Sequence, residues 1–338
     1  MKAFILRRTG SAIVVVLGVV VLTFMIARVI PGDPASAWAG PKATPASVEA
    51  ISRQLGLDQP VPVQIWTFFS GVLSGDWGTS IHTHQPVLDD ILNCLPASLE
   101  LVVAGLTLAL IIGVPLGLIS ARWRGRWVDH LVRAISVLGV SMPAFWLALI
   151  LRQVFFQKLH WLPVAGEYDP DLQYSSPLAK VTGAAIPDAL LSGNWPVLGS
   201  ALAHTTLPAV VVGSYATGVI ARMVRANVLE VAGETHTQMV RSLGFSERAV
   251  FGRFALRLAW SPVLQVVALV FAYSLVNTFL VESVFNWPGL GSYAAQSISS
   301  LDTPAITGLT LLIAFVYVVV NALVDVAQAL LDPRVGLR

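Results

Sequence analysis

The sequence predicts an all-α integral membrane protein with six transmembrane helices. Three observations lead to this class: 55% of the residues are hydrophobic, only 12% are charged, and the mean hydropathy is +0.73. A soluble globular domain carries about 25% charged residues, roughly twice this share. The composition therefore predicts that most of the chain lies within a membrane.

Six apolar runs are long enough to cross a bilayer as helices. A hydrocarbon core about 30 Å thick needs about 20 largely apolar residues per helix. The runs, each bounded by charge or by Pro/Gly-rich sequence, are Thr9–Ala27, Leu101–Ala121, Ala134–Leu151, Thr205–Ala221, Leu258–Val281 and Thr303–Val324. Pro115, Pro143, Pro208 and Pro262 fall within these runs and are expected to kink the helices.

The basic residues predict the orientation of these spans, because Lys and Arg beside a span stay on the cytoplasmic side. They cluster in the N-terminus, after the second run, after the fourth run and in the C-terminus, and the segments between are acidic. The clusters contain Arg7, Arg8, Arg122, Arg124, Arg126, Arg222, Arg225, Arg241, Arg248, Arg253, Arg257, Arg334 and Arg338. We therefore expect both termini in the cytoplasm. The net charge is only +2, and the basic residues are not gathered in one tail with interleaved aromatics, so they do not indicate a nucleic-acid partner.

The predicted organisation has three parts: a tail and first helix over residues 1–30, an outer segment over 31–95, and a core over 96–338. In the outer segment, Thr44 and Pro45 predict the start of a short helix that ends near Gly56. A second helix is predicted from Gln64 to Leu73. A later outer segment, from about Lys158 to Ala203, has no sustained periodicity and is expected to be irregular.

The segment 227–257, between the fourth and fifth runs, is too polar to enter lipid but keeps helical spacing. Gly244 interrupts this pattern, and Ser246 is a suitable N-cap for a second helix. We therefore expect a helix, a sharp turn and another helix. Periodicity alone leaves two interpretations open: a basic segment on the membrane surface, or a docking element for a cytoplasmic partner.

With these segments placed, the chain resembles the permease subunits of dipeptide, oligopeptide and nickel ABC importers, specifically the first permease of the pair. The resemblance covers nearly the whole length. Its motifs are Ile5-Leu6-Arg7-Arg8, Pro31-Gly32-Asp33-Pro34, Leu55-Gly56-Leu57-Asp58-Gln59-Pro60, Gly75-Asp76-Trp77-Gly78-Thr79-Ser80, Ser141-Met142-Pro143-Ala144-Phe145-Trp146, Arg222-Met223-Val224-Arg225, Phe285-Asn286-Trp287-Pro288-Gly289-Leu290-Gly291, Asn321-Ala322-Leu323-Val324-Asp325 and Leu331-Asp332-Pro333-Arg334. The order and spacing of these motifs, taken together, are specific to the family.

The resemblance implies the type I ABC importer permease fold in a bacterial cytoplasmic membrane. It implies as partners a second homologous permease, two cytoplasmic ATPase subunits, and a periplasmic or lipid-anchored binding protein that delivers the substrate. The substrate is expected to be a dipeptide or oligopeptide; nickel or another small solute is the alternative. We expect no enzymatic activity and no cofactor in this chain, with ATP and Mg held by the ATPases. The lysines, Lys2, Lys42, Lys158 and Lys180, are not preceded by the glycine of a P-loop.

The resemblance also implies which residues couple the permease to the ATPases. The family signature, Glu-Ala-Ala followed by three residues and Gly, falls here on Gln238, Met239, Val240 and Gly244, so only the glycine is retained. The predicted coupling residues are Gln238, Met239, Val240, Arg241, Leu243, Gly244, Phe245 and Arg248. For the two arginines, contact with lipid headgroups is the alternative.

Few polar residues lie within the predicted spans, and intramembrane polar groups are candidates for function. Gln265, Asn277 and Glu282 are the candidates for a translocation path, and interhelical hydrogen bonding or helix capping is the alternative for each. An ion-coupled secondary transporter would instead need paired intramembrane charges and two matching halves. An intramembrane hydrolase would need a motif such as HExxH, which the sequence lacks.

Overall fold

The structure is a computed structural model that describes residues 34–331 except 41–42, 55 and 57, together with residues 10, 14, 17–19, 21–22 and 25. Within this part of the chain the secondary structure is helical, and β pairing is limited to one isolated bridge between Thr79 and Pro86. The helices from residue 34 onward are α1 (Pro34–Ala39), α2 (Pro45–Gln54), α3 (Val61–Ser74), α4 (Val87–Arg122), α5 (Trp127–Ser141), α6 (Ala144–Lys158), α7 (Leu172–Ser175), α8 (Ala185–Ser192), α9 (Trp195–Gly233), α10 (Thr235–Ser242), α11 (Glu247–Phe285), α12 (Leu290–Ser299) and α13 (Thr303–Leu331). Two of them contain a π-helical segment, Arg152–Lys158 in α6 and Val250–Ala255 in α11.

Four of these helices, α4, α9, α11 and α13, are long and apolar enough to cross a membrane. The pair α5 and α6 qualifies as a fifth span when its two halves are taken together. These five coincide with the second to sixth apolar runs, which confirms the all-α membrane class. The first run, Thr9–Ala27, lies largely outside the described residues, as do the two ends of the chain, so the count of six and the cytoplasmic termini stay predictions.

The third span is not the single kinked helix that the sequence predicts. It is two helices, α5 and α6, bent by 101° at Met142 and Pro143. Both residues are extended, with ψ of 128° and 130°. A proline lacks the N–H that continues a helix, and its ring disfavours helical angles at the preceding residue. The other described prolines of the runs, including Pro208 and Pro262, lie inside continuous helices.

The prediction of an irregular segment from Lys158 to Ala203 is wrong in its second half, where α8 forms and α9 begins at Trp195. The carboxylate of Asp188 holds the chain before α8 by accepting hydrogen bonds from the N–H groups of residues 181, 182 and 183. Gly193 ends α8 in the left-handed region, and the Asn194 side chain caps α9. These contacts come from single side chains and leave no periodic signal in the sequence.

The two predicted helices near the N-terminus are confirmed as α2 and α3. The Thr44 hydroxyl accepts a hydrogen bond from the N–H of Ser47, as expected of an N-cap. At its other end, α3 stops at Gly75, which has φ +87°. Both helices are therefore set by local caps that the sequence shows directly.

The described residues form two compact units. One comprises residues up to Pro96 together with Pro288–Val318, and its core packs Val87 and Ile91 against Leu290, Tyr293 and Leu309. The Asp302 carboxylate stabilises this unit, since it caps α13 at Ala305 and accepts hydrogen bonds from Ser80 Oγ and His82 N. The predicted boundary near residue 96 stays a prediction.

The other unit comprises Ala97–Trp287 with the residues from Val319 onward. Its helices approach closely at small residues, as membrane helices do. A Cβ atom on Gly213 of α9 would lie 2.7 Å from the Gly105 carbonyl oxygen of α4, and one on Gly218 would lie 2.5 Å from the Ser136 carbonyl oxygen of α5. Glycine at these positions therefore lets α9 pack directly against the backbones of α4 and α5.

Candidate functional site

The predicted helix–turn–helix in the segment 227–257 is present. Helix α10 ends at Ser242, the chain turns at Leu243 and Gly244, and the Ser246 hydroxyl accepts a hydrogen bond from the N–H of Ala249 to start α11. Helix α9 continues to Gly233, so the first residues of the predicted segment are helical, and the bounds 227–257 of the cytoplasmic segment stay a prediction. The second helix is also longer than expected, since it runs without a break into the span of α11.

Gly244 fixes the direction of the turn through its backbone angles. Its φ is +82°, in the left-handed region that side chains with a Cβ atom enter at a cost. Its N–H donates to the Arg241 carbonyl at 2.9 Å. A Cβ atom here would meet nothing within 4 Å, so the requirement for glycine comes from the conformation and not from crowding.

Arg241 braces the turn from inside the chain. Its guanidinium bonds Glu247 Oε1 at 3.0 Å and the Ala232 carbonyl at 3.0 Å, and it lies 5.6 Å from the ring centroid of Phe251. These contacts tie the end of α9, α10 and the start of α11 together. Arg241 is thus occupied within the chain, whereas Arg248 is exposed and makes no ion pair with a described residue.

The apolar side chains on this segment that point to solvent are Met239, Leu243 and Phe245, with Leu243 66% exposed. The Phe245 ring also packs edge-on against Phe254 at 5.2 Å. Of the remaining predicted coupling residues, Gln238 donates to the Gly233 carbonyl and Val240 is half-buried. The segment therefore presents an exposed apolar surface on a braced frame. Below we call Met239, Leu243 and Phe245 the coupling surface.

A cavity of about 260 Å³ lies at the break between α5 and α6. It is lined by Val140, Ser141, Met142, Pro143, Ala144, Val211, Val212, Tyr215, Tyr273, Ser274, Asn277, Thr278 and Val281. None of these residues carries a formal charge. Their polar groups are hydroxyls, one amide and the backbone at the break, so the cavity offers hydrogen bonds without charge.

The three candidates for a translocation path occupy different environments. Asn277 lines the cavity, and its amide donates to the Tyr273 carbonyl at 2.9 Å. Glu282 is fully buried and accepts a hydrogen bond from Ser98 Oγ at 2.6 Å, which fits the alternative of interhelical hydrogen bonding. Gln265 is exposed on α11 and does not line the cavity. Of the three, Asn277 lies at the cavity, and the role of each in a translocation path stays a prediction.

The sequence interpretation missed a buried ion pair. Asp129, only 1% exposed, accepts two hydrogen bonds from Arg225 at 2.8 and 2.9 Å, and further ones from Ser120 Oγ and Gly125 N. Asp129 thereby links α9 to the end of α4 and to the start of α5. In the sequence, Asp129 stands alone among several arginines. The positive-inside rule explains the arginines but not the aspartate, and this was the clue.

Glu167 lies in the loop before α7, beside the carboxylate of Glu100. Burial, with a smaller contribution from Glu100, raises the pKa of Glu167 to about 7. Its Oε1 atom is buried and has no hydrogen-bond partner among the described residues. The pKa of Asp188 shifts in the opposite direction. Burial would raise it, but hydrogen bonds from Thr182 and its neighbours outweigh the burial and lower the pKa.

The raised pKa of Glu167 predicts a pH dependence of stability. The folded state holds the proton more tightly than the unfolded state, whose pKa is about 4.3. The stability that the protonated Glu167 contributes is therefore fully present below about pH 4 and is lost as the pH rises to about 7. We expect Glu167→Gln to raise the thermal unfolding midpoint at pH 8 and to leave it nearly unchanged at pH 4. Asp171→Asn, which removes an exposed acid of the same loop, is the control and should change neither value.

Comparison with known proteins gives consistent relatives over the whole chain. Residues 113–337 match the family described as "Binding-protein-dependent transport system inner membrane component", and residues 1–102 match the corresponding N-terminal family. A probable D,D-dipeptide transport system permease of Escherichia coli K12 is 42% identical over 98% of this chain and 96% of its own length. A dipeptide transport system permease of Alkalihalophilus pseudofirmus is 35% identical over 99% of both chains. A glutathione transport system permease of Salmonella typhimurium is 33% identical over 99% of both chains.

A solved structure shares the fold at low sequence identity. It is an inward-facing conformation of the MetNI methionine ABC transporter, with a TM-score of 0.52 and 14% identity. The match covers 70% of this chain and 93% of the other. It supports the predicted permease fold and, at this identity, nothing beyond the fold.

Proposed function

Because this chain belongs to the inner-membrane components of binding-protein-dependent transport systems, we propose that it is a permease subunit of an ATP-binding-cassette importer that takes up short peptides. The relatives that match over nearly their whole length are named for D,D-dipeptides, dipeptides and glutathione. These compounds share the amide-linked backbone of two or three residues. They favour peptides over nickel or another small solute as the substrate class.

The observation that carries the proposal is the coupling surface on its braced turn. An importer must convert closure of ATPase subunits into movement of the spans, which requires a stiff element that the ATPase can grip. Here an exposed apolar surface sits on a turn that Gly244 directs and Arg241 holds. The chain then continues as a single helix into the span of α11. Partner contact at the turn would thus act directly on a membrane helix.

The proposed assembly contains a second homologous permease, two ATPase subunits on the cytoplasmic side, and a binding protein that delivers peptide to the opposite side. ATP and Mg are bound by the ATPases, and this chain contributes no catalytic residue. With the basic segment 227–257 in the cytoplasm, both termini lie there as well if the spans number six. Arg248 is exposed on the same segment, and we propose that it contacts an acidic residue of an ATPase.

Truncating the coupling surface tests the contact with the ATPase. We expect Leu243→Ala to lower the recovery of ATPase subunits with the purified chain about tenfold, since anchors at the centre of an interface contribute about 1–2 kcal/mol or more. Leu191→Ala is the matched control, because Leu191 is 67% exposed and lies on α8, away from the turn. Equal recovery from the two variants would contradict the proposed contact.

Uptake by the whole system tests the substrate. A strain that lacks this chain, with the neighbouring transporter genes intact, should lose import of a labelled dipeptide and regain it when the chain is supplied. Labelled nickel serves as the competing substrate. Restored nickel uptake without restored dipeptide uptake would replace the peptide proposal by the metal alternative.

A further inference from the structure

The cavity at the break between α5 and α6 contains polar groups that have no hydrogen-bond partner among the described residues. Ser274 is only 5% exposed and lines the cavity, yet among the described residues its hydroxyl has no hydrogen-bond partner. The oxygen itself is not buried, so it is open to the cavity and available to water or a ligand. Asn277 is an exposed residue at the cavity, and its amide oxygen has no partner in the described part of the chain, since the side chain bonds there only through its nitrogen.

The helix break adds backbone groups of both kinds. Met142 bonds back to Leu138, and the N–H groups of residues 146 and 147 both bond to the Pro143 carbonyl. The N–H of Ala144 and the carbonyls of Val140 and Ser141 therefore have no partner among the described residues. Non-helical backbone at membrane depth is tolerated where it lines a water-filled cavity or is buried in protein. Val140, Ser141 and Ala144 all line the cavity, so the break brings donors and acceptors without partners among the described residues to its wall.

The chemistry of the cavity selects an uncharged ligand group that both donates and accepts hydrogen bonds. None of the lining residues carries a formal charge, so an isolated ammonium, carboxylate or metal ion would lose its hydration without a compensating partner. A peptide group has one N–H and one C=O and matches the free acceptors and donors. The apolar part of the wall, with valines at 140, 211, 212 and 281, suits a variable side chain.

The size of the cavity limits what enters it. At about 30 Å³ per water molecule, a volume of about 260 Å³ holds roughly nine waters. Pockets for drug-sized ligands range from about 300 to 1,000 Å³. The cavity is open on one side, so it can hold one peptide group with a small side chain while the charged ends of a short peptide remain in water outside.

We propose that this cavity is a contact site for the backbone peptide group of the transported substrate, with Ser274, Asn277 and the open backbone at Ser141–Ala144 as its hydrogen-bonding groups. This inference rests on the proposed peptide import and adds the place and the chemistry of recognition within the spans. Recognition of the backbone, with no charged partner, would let peptides of different side chains share one path.

Protection from alkylation tests whether peptide occupies the cavity. Cys94 is the single cysteine of the chain, so Cys94→Ser supplies a background in which Ser274→Cys is modified alone. The complete transporter is reconstituted with its binding protein, and N-ethylmaleimide labelling of this chain is followed by mass spectrometry during ATP hydrolysis, with and without dialanine. We expect dialanine at about four times its apparent Kd to slow labelling at position 274 about fivefold, because the bound peptide covers the thiol for that share of the time.

Val276→Cys is the matched control, because Val276 lies two residues away on α11, is 52% exposed and does not line the cavity. Its labelling rate should not respond to dialanine. If Ser274→Cys fails to assemble, Asn277→Cys takes its place, with the same expected protection. In a second measurement, Asn277→Leu should lower dialanine uptake about fivefold, and Val276→Leu should leave it unchanged.

The two proposals fail in different ways. A wild-type transporter that does not import dialanine or another short peptide would overturn the proposed function and this inference with it. A transporter that imports dialanine, but in which dialanine does not protect position 274 or position 277, would overturn the inference alone. Protection at position 276 equal to that at 274 would also overturn it, because the effect would then be a general change in conformation.

Discussion

Replacing Gly244 by valine is expected to lower ATP-driven uptake at least tenfold while the chain still inserts into the membrane. The backbone at Gly244 has φ +82°, where a β-branched residue is a genuine outlier. A left-handed residue with a Cβ atom costs about 1–2 kcal/mol before β-branching is counted. The turn would therefore rotate to a permitted conformation and redirect α10, which carries the exposed Met239, together with Leu243 in the turn. Uptake of labelled dipeptide and ATP hydrolysis by the purified complex measure the coupling.

Two variants separate conformation from bulk at this turn. Gly252→Val adds the same side chain a short distance along α11, where the glycine is not in the left-handed region and a Cβ atom meets nothing within 4 Å. It should retain most of the uptake. Gly244→Asn should recover part of it, because asparagine tolerates left-handed angles. Wild-type uptake by Gly244→Val would refute the proposal that this turn transmits the work of the ATPase.

Removing the carboxylate of Asp129 is expected to destabilise the chain by about 3–5 kcal/mol. Arg225, whose side chain is 23% exposed, would then lose its bidentate partner, and breaking a buried ion pair from one side costs about this much. The loss should appear as a lower free energy of unfolding for Asp129→Leu in mixed micelles of SDS and mild detergent. Since Asp129 also bonds the turn between α4 and α5, proteolysis near Gly125 should become faster.

The double replacement Asp129→Leu with Arg225→Leu should recover much of this stability, because apolar residues can replace a buried pair at little cost. The exposed pair of Glu49 and Arg53 on α2 provides the control. Glu49→Ala should change the free energy of unfolding by less than about 1 kcal/mol, as is usual for a surface pair. If Asp129→Leu and Glu49→Ala lowered the free energy of unfolding by similar amounts, the burial of Asp129 would not determine how much its ion pair stabilises the chain.

The spans were predictable because the sequence signal for each one lies within its own residues. A run of about 20 apolar residues is sufficient evidence for a membrane helix, and five of the six runs fall on described helices or on the bent pair. The 101° bend was not predictable from Pro143 alone, since Pro208 and Pro262 sit inside helices that continue. A proline breaks a helix or is accommodated according to what packs against its backbone, and this information lies elsewhere in the sequence.

Some features of the candidate sites were likewise predictable from local sequence, and others were not. Gly244 and Ser246 were found because a turn glycine and an N-cap serine act locally. The internal contacts of Arg241, the pairing of Asp129 with Arg225 and the cavity around Ser274 join residues between six and more than 130 positions apart. No spacing rule covers such distances, so these features emerge only when the helices are packed. The role of the coupling surface stays a prediction until contact with an ATPase is measured.

The unbroken course of α11 has a mechanical consequence. Glu247, at the turn, and Ser274, at the cavity, lie on one helix and are 27 residues apart, which corresponds to about 40 Å at 1.5 Å per residue. If that helix pivots at Glu247 by about 10°, Ser274 moves by about 7 Å, more than the 5.4 Å pitch of one helical turn. A small rotation imposed at one end is thus amplified along the rod into a displacement large enough to open or close a space of molecular size.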